Sequence, residues 1–425
     1  MSLPQLALLL AALAGTPLFV VIAGFALLGY QQAEIDPMAL AIEFYRIAEL
    51  PVLLAIPLFT TAGYVLGASG APQRLLDLSR AWLGWLPGGL AIVAIVTCAF
   101  FTALTGASGV TIVALGALLY PALKQAGYTE NFSLGLVTSA GSLGLLFAPS
   151  VPLILYGVVA QQLNLGPPIS IEQLFIAGIL PGVLMLAVLS AWGIYQRRGA
   201  PRSHFKLSEA LASLRRAGWE LPLPIILLLG IYGGWFAVSE AAAITALYVL
   251  IVEVLILREI SLTRLVGVLR ESTILVGGIL LILGMSLAST NVMIDAGVPE
   301  QLFALIEQHV DSKLGFLLLL NLFLLALGML LDIFSAIVLI VPILLPVALS
   351  YGIDPLHLGI VFLANMQIGY FTPPVGMNLF IASYRFGQPV MTLYRATLPW
   401  FFLLLACVLV ITYVPALSLG LVAAI

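Results

Sequence analysis

The chain has 425 residues, 62% hydrophobic and only 8% charged, with a formal net charge of −3 and a mean hydropathy of +1.17. Soluble domains carry roughly 25% charged residues, and no water-soluble core hides this much apolar surface, so the solvent of this fold is lipid. Three histidines and two cysteines, Cys98 and Cys407, each in an apolar run, leave no basis for a metal cluster.

Residues 4–30 form the first apolar run and read as one transmembrane helix. No Lys or Arg precedes Arg46, which argues against a cleaved signal peptide. Further runs fall near 51–68, 87–104, 173–195, 221–237, 241–257, 273–290, 314–331 and 399–423. About 20 apolar residues span a bilayer. Interrupted runs lie at 110–123, 132–147 and 150–160, and again at 334–350, 356–370 and 374–384. They suit helical hairpins and broken helices, whose exposed backbone must face protein or a wet cavity. Segments 207–219 and 261–272 set leucines opposite arginines and read as helices lying along the membrane surface. Trp82, Trp85, Trp219 and Trp235 fit interfacial anchors. Ser239 reads as an N-cap with Glu240 in the first turn, and Glu253 as facing water or an arginine.

The chain repeats itself. "SGAPQRLLDL" (69–78) resembles "AGVPEQLFAL" (296–305), "LLYPAL" (118–123) matches "ILLPVA" (343–348), and "FAPSVP" (147–152) matches "FTPPVG" (371–376). The offsets are 227, 225 and 224 residues. Residues 1–196 and 237–425 therefore read as two copies of one unit, joined by a basic amphipathic linker and connecting span at 197–236. Positive residues mark the cytoplasmic side. The linker and the loop with Arg258, Arg264 and Arg270 read inside, whereas the mate of that loop, 31–50, has four acids and one Arg and reads outside. Residues 71–88 read inside and their mate 298–313 outside; 385–398 carries Arg385 and Arg395, and its mate 161–172 has no basic residue. Opposite bias in all three pairs predicts an inverted repeat with its site at the repeat interface.

Thr105, Gly106, Ser108 and Gly109 cluster in an apolar run. Small residues there also suit helix packing, but the repeat mate of this region carries Asp332, an acid near mid-bilayer. Such an acid costs roughly 2.5–3.5 kcal/mol on insertion scales. Asp332 is therefore a candidate ligand, or electrostatic support, for a coupling cation. Pro149, Pro373 and Pro374 remove backbone donors and interrupt helices. Ser150, Thr372, Gly376 and Asn378 then offer hydroxyl, amide and carbonyl groups. Asn365, seven residues before Thr372, could reach the same break or form an interhelical hydrogen bond. No Lys or Arg lies inside a predicted span, so helix dipoles and neutral donors would have to hold an anionic solute. No GxxxxGK[ST] loop is present, so ion gradients would drive the uphill step.

The stretches "GASGVTIVALGALLYPALKQAGY", "SAGSLGLLFAPSVPLILYGVVA" and "GMLLDIFSAIVLIVPILLPVALSYGIDPLHLGIVFLANMQIGYFTPPVGMNLFIAS" resemble the large membrane subunit of tripartite ATP-independent periplasmic (TRAP) transporters. The resemblance runs over essentially the whole chain. It implies an all-α, polytopic, elevator-type secondary transporter in the bacterial inner membrane. It also implies Na+ as coupling ion, uptake of a carboxylate, a small membrane subunit and a periplasmic solute-binding protein as partners. No enzyme activity, other cofactor or nucleic-acid partner is expected. By position, the resemblance puts Na+ binding on Thr105, Gly106, Ser108, Gly109, Asp332, Thr372 and Gly376. Solute binding is expected at Ser150, Asn365, Pro373, Pro374 and Asn378, of which the resemblance itself carries Pro373, Pro374 and Asn378 and the reading of the proline breaks adds Ser150 and Asn365. The first break departs from the family pattern: "TGASGV" carries a single serine, so carbonyls would contribute more there. The alternatives are a stand-alone cation-coupled anion transporter, a passive channel and, with no acid/base pair in sight, an intramembrane enzyme.

Overall fold

A computed structural model describes residues 3–86, 88–196, 205–310 and 312–424; Arg197, Arg198 and Arg202 of the basic linker lie outside them. Among the described residues the secondary structure is helical, without strands. Seven helices are long and apolar enough to cross a bilayer, and Glu130–Leu146 with Val151–Gln162 adds an eighth span bent by 43°. The chain is thus an all-α polytopic membrane protein.

The helices in order are α1 (Leu3–Leu13), α2 (Leu18–Gln32), α3 (Met38–Arg46), α4 (Ala55–Ala68), α5 (Ala71–Leu83), α6 (Gly89–Thr105), α7 (Ser108–Ala114), α8 (Gly116–Gln125), α9 (Glu130–Ala140), α10 (Val151–Gln162) and α11 (Ile171–Gln196). The linker holds α12 (Leu207–Arg216) and α13 (Pro222–Tyr232). Then come α14 (Val238–Leu250), α15 (Leu262–Asp295), α16 (Val298–Glu307), α17 (Lys313–Leu330), α18 (Ile333–Ser350), α19 (Pro355–Gly369), α20 (Met377–Phe386), α21 (Val390–Tyr413) and α22 (Ala416–Ala424).

The order recurs: α2, α4, α6, α7–α8, α9, α10 and α11 have counterparts in α14, α15, α17, α18, α19, α20 and α21. Packing between the halves is reciprocal. Helix α2 packs on α15 while α14 packs on α4, and α10 packs on α18 while α20 packs on α7. Likewise α11 meets α19 while α21 meets α9. At the centre runs α19, buried along all 15 of its residues. It crosses α17 where Gly328 and Gly369 meet backbone to backbone: a Cβ on Gly369 would stand 2.5 Å from Gly328. Its buried polar groups bond outward, His357 Nδ1 to Ser418 Oγ at 2.6 Å and Asn365 Nδ2 to Asn321 Oδ1 at 2.7 Å.

Several expectations need correction. Residues 4–30 are two helices, because Gly15 (φ +90°) and Pro17 break the run. Segment 261–272 does not stand alone: Ser261 caps α15, which runs unbroken through the membrane-length stretch to Asp295. No proline interrupts it, so the amphipathic turn continues into the apolar one. That carries Arg264 and Arg270 into a helix of spanning length, as Val390–Tyr413 carries Arg395. The run 399–423 starts earlier, at Val390, and breaks at Val414 before Pro415. Ser239 is not the N-cap. Ala237 holds that position, and its N–H donates to the Glu240 carboxylate at 2.9 Å, closing the turn from the other side. Glu253 does face an arginine, Arg74, at 3.3 Å.

A candidate ion and solute site at the helix breaks

Four helices are interrupted. Between α6 and α7, Gly106 adopts φ +67° and Ala107 is extended. Between α17 and α18, Leu331 and Asp332 are extended. Residues Phe147–Ser150 precede α10, and Tyr370–Gly376 separate α19 from α20. The last two breaks each contain a cis proline peptide, Ala148–Pro149 and Pro373–Pro374.

These breaks meet. Ser108 Oγ donates to Asn378 Oδ1 at 2.9 Å, joining the first break of one half to the second break of the other. Gly376 N–H donates to Met329 O at 3.0 Å, and Ile333 N–H to Tyr370 Oη at 2.9 Å, joining the two breaks of the second half. Gly106 lies against Val151, the first residue of α10: a Cβ there would stand 2.7 Å from Val151 Cγ2. A cavity of about 490 Å³ opens at the junction. Gly106, Ala107, Ser108 and Gly109 line it from the first break; Ile333, Phe334, Tyr370 and Met377 line it from the second half. Helices α4 and α15 close the far side with Tyr64 and Glu271. Among the described residues, Glu271 is the single charged group of the lining.

Of the residues singled out from sequence, Gly106, Ser108 and Gly109 line this cavity, and Asn378 reaches it through Ser108. Thr105 is buried behind it. Asp332 sits at the N-terminus of α18, where Oδ1 accepts from Phe334 N–H and Ser335 N–H, each at 3.0 Å, and Oδ2 from the Ser335 hydroxyl. Ser150 caps α10 and donates to Leu145 O. Thr372 donates to Ile368 O at 2.7 Å, within the end of its own helix. Gly376 (φ +53°) starts α20, and Pro373 and Pro374 face outward, exposed. Asn365 does not line the cavity: its amide bonds Asn321 and Val361 O, so of the two readings the structure shows the interhelical one. Tyr64, Glu271 and Tyr370 were missed. Glu271 follows Arg270 in a segment that looks like an exposed amphipathic surface, and nothing local marks it as facing a cavity.

The Ser108–Asn378 bond gives a direct prediction. Ser108→Ala strips the donor from a fully buried carbonyl oxygen, which costs about 1–3 kcal/mol. Ser108→Ala/Asn378→Leu removes both partners and is expected to recover part of that loss. Thermal unfolding of the purified variants in detergent measures both.

An all-helical bundle whose interrupted helices surround one cavity defines a polytopic membrane transporter. Residues 5–417 match the family described as "Tripartite ATP-independent periplasmic transporter, DctM component", and the chain belongs to that family. It is 36% identical over 388 residues to a C4-dicarboxylate TRAP transporter large permease protein of Pseudomonas aeruginosa, covering 90% of this chain and 89% of that one. It is 37% identical over 382 residues to the isethionate TRAP transporter permease protein DctMQ of Oleidesulfovibrio alaskensis, covering 89% of this chain and 59% of that longer protein. The fold is similar to the crystal structure of the YdaH transporter of Alcanivorax borkumensis, with a TM-score of 0.61, 17% identity, and coverage of 90% and 88%. The chain is therefore a TRAP transporter large permease of the inner membrane and not an enzyme.

Proposed function

We propose that the chain imports an organic carboxylate in symport with Na+, by an elevator-type movement of the part that carries the helix breaks. The two halves are taken to lie in opposite orientations across the bilayer, as the charge bias predicts. A periplasmic solute-binding protein delivers the carboxylate, and a small transmembrane subunit completes the complex; the fused DctMQ relative fits such a partner. One observation carries this reading: helix breaks from both halves meet at one cavity, lined by residues 106–109 from the first half and by Ile333 and Tyr370 from the second, and the Ser108–Asn378 hydrogen bond joins them.

The chemistry divides by helix end. Helix N-termini attract anions. At α18 the N–H groups are already taken by the Asp332 carboxylate, whose charge makes that end favour a cation. At α20 no side chain caps Gly376 and no carboxylate neutralises the helix end, although Gly376 N–H and Asn378 N–H donate to Met329 O and Tyr370 O; Met377 faces the cavity there, so the positive end of the helix favours the solute anion. We assign Na+ to the neighbourhood of Thr105–Gly109, Asp332, Thr372 and Gly376. The solute goes beside it, toward Ser150, Pro373, Pro374 and Asn378. Relatives of nearly equal identity are named for C4-dicarboxylates and for isethionate, so overall similarity does not fix the solute.

Asp332→Asn tests the assignment. Asparagine caps helices about as well as aspartate, so the fold is expected to survive. Removing a unit charge within about 10 Å of Na+, at an effective dielectric near 20, weakens ion binding by about 1.7 kcal/mol. The Na+ concentration for half-maximal uptake in proteoliposomes is expected to rise at least about tenfold. Unchanged Na+ dependence would remove Asp332 from the site. Robust uptake by the chain reconstituted without a binding protein would favour the stand-alone transporter.

A further inference from the structure

A second recess, of about 320 Å³, lies between α5 and α12, away from the helix breaks. Asp77, Arg80 and Trp85 wall it on one side, and Lys206, Glu209 and Arg216 on the other. Asp77, Arg80 and Ala81 share one face of α5 by helical spacing. Both acids are engaged: Glu209 accepts from Lys206 at 2.8 Å, and Asp77 accepts from Gln73 at 3.0 Å. Among the described residues, neither Arg80 nor Arg216 lies within ion-pair distance of a carboxylate.

Beside these arginines sits an aromatic cluster. The rings of Trp82 and Trp85 each meet Phe205 edge-on at 6.3 Å, and all three side chains are exposed. Leu207 and Leu211 of α12 are exposed as well. Aromatic rings and leucines at this density mark the boundary between head groups and acyl chains. Free guanidiniums in a recess at that depth match a phosphate oxygen pair, which arginine takes bidentately.

We propose that this recess binds the phosphodiester head group of an anionic phospholipid, with its acyl chains leaving over Trp82, Trp85 and Phe205. Arg80 and Arg216 hold the phosphate, and the lipid fastens the linker helix α12 to α5.

The test is lipid retention by the purified full chain, read by native mass spectrometry. Phosphatidylglycerol is expected to be retained over phosphatidylcholine, and Arg80→Gln/Arg216→Gln to lower that retention at least about tenfold. Arg264→Gln/Arg270→Gln, on exposed arginines of α15, is expected to leave it unchanged. Equal retention by the Arg80/Arg216 variant, or displacement of the lipid by excess inorganic phosphate, would overturn the proposal. A second measurement does not depend on how that variant folds. Brominated phosphatidylglycerol is expected to quench wild-type tryptophan fluorescence more than brominated phosphatidylcholine, a difference that Trp82→Phe/Trp85→Phe removes. Equal quenching by the two lipids would also overturn it.

Discussion

Arg74→Gln is expected to destabilise the chain by about 3–5 kcal/mol, the cost of leaving buried carboxylates without their cation. Arg74 reaches Glu220 at 2.5 Å and Glu253 at 3.3 Å, and also bonds Glu259. The side chains of Glu220 and Glu253 are each 1% exposed. Glu259 also accepts from Gly70 N–H at 2.6 Å. One guanidinium thereby ties α5 to the turn before α13, the π-helical turn Ile251–Ile256 that follows α14, and the loop before α15. The loss should depend on pH. Burial raises the Glu220 carboxyl above its ordinary range, and Arg74 opposes that shift. Without Arg74 the shift grows, so the variant's folded state holds a proton that the unfolded chain has released. Stability then falls as pH rises above the ordinary carboxylate value. The deficit is expected to be smaller at pH 5 than at pH 8, measured as thermal midpoints in detergent. A deficit that is constant with pH would show that Arg74 acts by packing alone.

Gly106→Ala is expected to abolish uptake while leaving a protein that still inserts. The residue lies at φ +67°, where an L side chain costs about 1–2 kcal/mol. Its Cβ would also stand 2.7 Å from Val151 Cγ2, so α10 must shift against the first break. Overpacking of this kind adds about 1–3 kcal/mol. The distortion falls on the lining of the cavity, so transport is expected to suffer before stability does. Val151→Ala in the Gly106→Ala background relieves the clash but not the backbone strain, and is expected to restore only part of the uptake. Full restoration would mean that the left-handed turn itself is dispensable.

Residue patterns carried much of this architecture. Hydropathy alone makes the solvent lipid, and the spans at 173–195 and 314–331 lie within one or two residues of α11 and α17. Matched prolines at nearly one offset, 224 to 227 residues, are what point to a recurring unit. The breaks at the two proline clusters were legible from the residues and the one at residues 105–109 from the resemblance, whereas the break at Leu331 and Asp332 was not, because an acid in an apolar run does not by itself mark an interruption. Contacts across long separations were not. Arg74 and Glu253 are 179 residues apart, and neither looks unusual where it stands. Glu271 and Tyr64 face the cavity because α15 and α4 pack against each other, which no local period encodes. Asn365 left two readings open because its two-turn spacing from Thr372 says nothing of which side of a fully buried helix it occupies. Segment 261–272 misled because an amphipathic turn at a membrane surface and the first turns of a long spanning helix share one periodicity.

The most direct test of the account is Na+ protection of a thiol at the junction of the breaks. Ser108 lines the cavity, whereas Cys98 and Cys407 are buried and do not line it, so a small methanethiosulfonate reagent that enters the cavity should act first on an introduced Ser108→Cys. If the unwound ends of the two halves together hold the coupling ion, Na+ slows that modification severalfold where K+ does not, and modification stops uptake. A cysteine that reacts at the same rate in either salt would contradict it.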